Sequence, residues 1–146
     1  MSKSNTWETD LLTLVFNNTA VALIGDASGL QPSAVAGSLY LSLHTGDPGE
    51  TGTQATSETA YTGYARKAVA RSAGGFTISG NAVTLVANQD FGECTASPGG
   101  ALTHLGIGTD SSGAGKLLYK GALSPNITMA AGVIPRIKTT TSVTED

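Results

Sequence analysis

Few residues in this chain have side chains capable of chemistry, and spacing is the first test of each. The glycine-rich run over residues 106–116, ending Gly113-Ala114-Gly115-Lys116, has the composition of a phosphate-cradling loop. Such a loop needs a glycine five residues before its Gly-Lys pair, a hydroxyl directly after it and a helix beyond, so that backbone N–H groups converge on the phosphates. Asp110 and Leu117 occupy those positions, and a strand pattern follows. The run reads as a hairpin loop. His44 and His104 lie far apart, and a metal site would need a third ligand, with Asp47 the nearest candidate. The spacing carries no metal signature, so no metal site is expected. His44 reads as a solvated or interface histidine. The lone Cys94 has no disulfide mate and reads as a small buried hydrophobe. Asp47, Glu50 and Glu58 would have to frame a groove to cleave a glycoside, but they fall in a polar loop and read as solvated acids. Gly37-Ser38 runs into Leu39, not a nucleophile elbow. Arg66, Lys67 and Arg71 form the basic cluster, spread over two faces of a strand. No catalytic residue and no cofactor is assigned, and the chain reads as a non-enzyme.

The elements that must carry these residues are short. One amphipathic helix is predicted over 7–24, with Thr6 as N-cap, Glu8 and Asp10 at its positive end, and Gly25 ending it. Trp7, Leu11, Leu14, Val15 and Ala22 make its apolar face. A linker rich in Gly, Ala, Ser and Pro follows to residue 38. From residue 39 the period changes to two. Leu39, Leu41 and Leu43 alternate with Tyr40, Ser42 and His44 up to the break Gly46-Asp47-Pro48-Gly49. Further strands are predicted around 64–69, as a hairpin over 76–87 turning at Gly80-Asn81, over 102–107, over 116–123, and as one Thr-rich strand over 133–143. A turn is expected at Pro125-Asn126. Strands that do not alternate with helices exclude a parallel α/β sheet. The expected fold is mainly β: an antiparallel β-sandwich, with the jelly roll as a form it can take, and one N-terminal helix. Residues 1–38 would be a helix-and-linker arm and residues 39–146 the sandwich domain. Its inward residues would be Leu41, Leu43, Ile78, Val83, Leu85, Leu117 and Tyr119.

Composition narrows the function classes. The 146 residues carry a net charge of −3, with 40% hydrophobic, 13% charged and 5% aromatic residues and 19 glycines. An acidic, charge-poor chain is not built to grip nucleic acid by releasing counterions. No apolar run reaches the roughly 18 residues of a membrane span. The polar start gives no export signal, so synthesis in a reducing cytosol is expected. A surface so poor in charge suits one covered by neighbours.

Three segments carry a likeness. Residues 39–49, with Leu43-His44-Thr45-Gly46-Asp47-Pro48-Gly49, then Tyr61-Thr62-Gly63-Tyr64-Ala65-Arg66, then His104-Leu105-Gly106-Ile107-Gly108-Thr109 resemble a small tailed-bacteriophage virion structural protein. The opening Thr6-Trp7-Glu8 and the closing Thr144-Glu145-Asp146 extend the likeness over nearly the whole chain. The resemblance implies a structural role without catalysis. The leading expectation is a capsid cement or decoration protein on the capsid exterior, with the major capsid protein and copies of itself as partners. The alternative is a tail fibre or tail-tip protein that contacts the host surface. Candidate interface residues are the helix face Trp7, Leu11, Leu14 and Val15 and the loop acids Asp47, Glu50 and Glu58. The helix would pack either on its own subunit or on a neighbour, and the loop over 47–59 is expected to project and touch a neighbouring chain.

Overall fold

The computed structural model describes residues 2–145, so Asp146 of the closing motif lies outside the described residues. The elements are α1 (Asn5–Asn17), β1 (Ser38–His44), β2 (Lys67–Ala70), β3 (Phe76–Ser79), β4 (Ala82–Leu85), β5 (Gln89–Asp90), β6 (Leu102–Gly108), β7 (Leu117–Ile127), β8 (Arg136–Ile137) and β9 (Ser142–Thr144). The fold is mainly β with one N-terminal helix, as expected. The sheets are antiparallel: β1 with β6, β6 with β7, β3 with β4, β4 with β9, and β5 with β8. Two compact units emerge. One takes the chain up to Ser38, Val69–Asn88 and the chain from Lys138 on; the other takes Leu39–Ala68 and Gln89–Ile137.

In the first unit α1 packs on the hairpin β3–β4, which β9 extends to three strands. Gly80 at φ +60° leads the two-residue turn, the place where a type II′ hairpin requires positive φ. The helix is shorter than its sequence pattern. Ser4 is the N-cap, its hydroxyl accepting from the Trp7 N–H, where Thr6 was expected. Asn18 ends the helix in the left-handed region at φ 52°, seven residues before the expected Gly25. The reason is a two-way clasp: the Asn18 amide accepts from Ser33 N and donates to Ser33 O, both at 2.9 Å, so the chain turns away there.

The buried stripe of α1 is also shifted. Glu8, Leu12 and Phe16 are buried, at i, i+4 and i+8, while Trp7, Leu11, Leu14 and Val15 lie off that stripe and are half-buried. Five of the six residues from Leu11 to Phe16 are apolar, so the period alone leaves the inward direction open. Phe76 on β3 decides it, meeting Phe16 edge to face at 4.9 Å between centroids. The helix thus packs on its own chain. Arg71 completes this end of the helix. Its guanidinium donates to the last-turn carbonyls of Leu14 (2.9 Å) and Val15 (2.7 Å), and to Ala36 O and Ser33 Oγ, both at 3.2 Å. No basic residue stands in the helix's own last turn, so a distant arginine supplies the positive charge that its C-terminal carbonyls favour.

The four-stranded sheet has the order β2-β1-β6-β7, with β1 and β6 central. That position buries both faces of β1: Leu39, Leu41 and Leu43 alternate with Ser42 and His44, and all five are buried. Of the expected inward residues, Leu41, Leu43, Val83 and Leu85 are buried, whereas Ile78, Leu117 and Tyr119 are half-buried. Two strand readings change. The pattern over 64–69 forms a strand only from Lys67, because Tyr64 and Arg66 are drawn into side-chain bonds described below. The Thr-rich run over 133–143 divides into β8 and β9 around a turn at residues 139–140, closed by Thr141 N to Lys138 O. Pro125-Asn126 does not end β7, which runs through them to Ile127 opposite Leu102.

Candidate functional site

The residues with chemical potential converge in the second unit, beneath the loop that joins β1 to the Tyr61–Arg66 motif. Three polar anchors hold that loop down. The first is His44, with no exposed surface. Its Nδ1 lies 2.9 Å from Thr56 O and its Nε2 2.9 Å from Ser42 Oγ. A carbonyl only accepts, so Nδ1 carries the hydrogen; in the neutral ring that burial favours, Nε2 accepts from the Ser42 hydroxyl. Burial drives its pKa below the usual histidine value, against the opposing pull of the Thr56 carbonyl and Glu58. The reading of His44 as a solvated or interface histidine is therefore corrected. Gly106, its diagonal neighbour on β6, leaves the room: a Cβ there would stand 2.6 Å from Ser42 Oγ and 2.7 Å from His44 Nε2.

The second is Gln54, fully buried in a loop whose composition had promised nothing for a core. Its Nε2 donates to Tyr40 O at 3.3 Å and its Oε1 accepts from Asp110 N at 2.9 Å, so it ties the loop to β1 and to the β6–β7 turn. Glycines again make the seat. A Cβ at Gly108 would come within 2.1 Å of Gln54 Cδ, and one at Gly115 within 2.3 Å of Oε1.

The third is the pair Glu58–Arg66. Arg66 Nε and Nη2 each meet the Glu58 carboxylate at 2.7 Å in a two-pronged bridge. Nη1 donates to Asp110 O at 2.9 Å and Nη2 to Gly113 O at 2.6 Å. The Arg66 side chain is only 2% exposed and that of Glu58 16%. Bonding to Glu58 raises the Arg66 pKa further. The Tyr64 hydroxyl donates to Glu58 Oε1 at 2.7 Å and accepts from Leu43 N at 3.1 Å, and burial with that carboxylate raises its pKa strongly. Tyr64 in turn lies between Tyr61 (edge to face, 5.4 Å) and Phe91 (stacked, 6.1 Å). Tyr61 donates to Gly92 O, and burial pushes its pKa up to about 12. These tyrosines are packing residues.

The structure therefore disperses the sequence candidates. Glu58 is engaged within its own chain. Asp47 and Glu50 both bridge Lys120 Nζ at 3.0 Å, and Glu50 and Lys120 line a groove of about 280 Å³ together with Gly49, Gly52, Leu117, Leu118 and Tyr119. The Gly49 N–H, then Lys120, hold the Asp47 pKa below its usual value. Trp7, Leu11, Leu14 and Val15 belong to the other unit. The loop over 47–59 does not stand away from the sheet: Pro48, Gln54 and Thr59 are buried, and Thr45 N and Thr59 N bond Ser57 O and Leu43 O. The glycine-rich turn over 109–116 points carbonyls at a cation, Arg66, the opposite polarity from a phosphate cradle. Cys94 is buried, its thiol 3.6 Å from Ala96 O. Among the described residues no group of three His, Cys, Asp or Glu is placed to hold a metal ion. No helix among them is long and apolar enough to cross a membrane.

Sequence reasoning missed Gln54, Arg66 and Arg71 as organising residues. One signal was present. Gly106 and Gly108, two apart on one face of a strand, mark a place where other side chains approach the backbone.

A family model described as "Podophage GP4 fiber I protein gp80" covers residues 2–144. No curated protein matches the chain.

Proposed function

The chain belongs to this podophage fibre protein family, and from that membership we propose that it is a non-catalytic building block of a podophage fibre. The match over residues 2–144, practically the full described chain, carries the reading. The side-chain chemistry supports it. The buried histidine, the Glu58–Arg66 pair and the buried glutamine each spend their bonding capacity on holding loops to the sheet. The mechanism is mechanical: rigid loops present a defined surface to other virion proteins and to further copies of the chain. Fibre placement accounts for the family description better than capsid cement does. Gold-labelled antibody against the purified chain, applied to intact podophage particles, tests it by electron microscopy. Label along the fibres supports the proposal. Label distributed over the capsid shell overturns it in favour of a decoration protein.

A further inference from the structure

We infer that the outer edge of β7 is a self-association site, at which β7 of a second copy of this chain adds antiparallel and continues the sheet. This goes beyond the fibre reading and does not depend on it. β7 is the outermost strand of the four-stranded sheet, with β6 on its inner side. At eleven residues it is the longest described strand, while the other sheet-edge strands have two to four. An outer strand presents a row of backbone donors and acceptors to whatever extended chain can match it. Its large apolar residues, Leu117, Leu118, Tyr119, Leu123 and Ile127, are all only half-buried, the state expected of a strand with a neighbour on one side. Gly121, Ala122 and Ser124 are exposed.

The occupant follows from self-complementarity. The ladder to β6 is regular only from Tyr119 to Ala122, with register shifts on either side, so Gly121 is the natural centre for a two-fold pairing. About that centre Tyr119 faces Leu123 of the second copy, an aromatic–aliphatic cross-strand pair made twice. Lys120 faces Ala122, so like charges do not oppose one another. Lys120 is moreover neutralised in its own chain by Asp47 and Glu50. A closed two-fold contact of this kind yields a dimer rather than an open filament.

The register makes the test specific. Multi-angle light scattering of the purified full chain, up to about 1 mM, should give twice the 14.7 kDa chain mass. Gly121→Lys places two lysines face to face at the two-fold centre, on a position where a side chain meets nothing within 4 Å of its own chain, and should give the single-chain mass, with the melting temperature at high dilution unchanged. Gly121→Cys tests the centre without disturbing the fold, because a side chain at Gly121 meets nothing within 4 Å. It should oxidise to a disulfide-linked dimer, and it decides the matter if Gly121→Lys proves unstable. A single-chain mass at every concentration overturns the proposal. So does a dimer that Gly121→Lys leaves intact, or a Gly121→Cys protein that does not cross-link.

Discussion

Replacing Arg66 with alanine removes the fastening between the β1-side loop, the Tyr64 hydroxyl network and the β6–β7 turn. Four N–H···O bonds of 2.6–2.9 Å disappear. The two to Asp110 O and Gly113 O contribute little to the loss, because both residues are exposed and water can replace the guanidinium. The two to Glu58 dominate. That carboxylate is mostly buried, still receives the Tyr64 hydroxyl, and would be left without its cation. Removing one partner of a buried pair typically destabilises by about 3–5 kcal/mol, most of it from the stranded charge. At this chain length each kcal/mol lowers the melting temperature by roughly 2–4 °C, so a fall on the order of 10 °C is expected. Urea and thermal unfolding of Arg66→Ala, Glu58→Gln and the double variant measure it. The double variant should recover much of the loss, since the charge is then neutral and no longer stranded. A loss below about 1 kcal/mol for Arg66→Ala, or strictly additive single effects, would refute the claim that this pair fastens the loop.

Three further outcomes are expected. Gly108→Ala drives a methyl into Gln54 and should destabilise by about 1–3 kcal/mol; Gln54→Ala in the same chain should relieve part of that, measured as a non-additive pair of unfolding free energies. The depressed pKa of His44 means the unfolded chain binds a proton that the folded one refuses, so its contribution is complete above pH ~6.5 and is lost as pH falls below it, by at most about 1.4 kcal/mol per pH unit. Urea titrations at several pH values should show that slope, and it should flatten in His44→Gln; an unchanged slope in that variant contradicts the assignment. On α1, Phe16→Ala should cost about 3–5 kcal/mol and Trp7→Ala clearly less, because Phe16 lies on the buried stripe and Trp7 lies off it, half-buried; equal losses in chemical denaturation would contradict the observed helix orientation.

What the sequence determined by itself was set by local rules. Period-two alternation between Gly and Pro breaks placed β1, the β3–β4 hairpin and β6, because side-chain direction along a strand is intrinsic to its geometry. The absence of any catalytic or metal-binding spacing was equally local, as was the single helix near the start. Tertiary structure decided the rest, wherever the determining partner is distant in sequence. Helix α1 ended early because Asn18 found Ser33, and its inward face was selected by Phe76. The loop read as polar and projecting was held down by Gln54, His44 and Glu58. Polar residues report on solvent only while unpaired, and the carbonyls of Tyr40 and Thr56 and the Arg66 guanidinium that satisfy these three lie 8 to 14 residues away. The glycines that admit two of them lie farther still, on β6 and in the turn after it, where a missing Cβ has meaning only once the neighbour that fills its space is known.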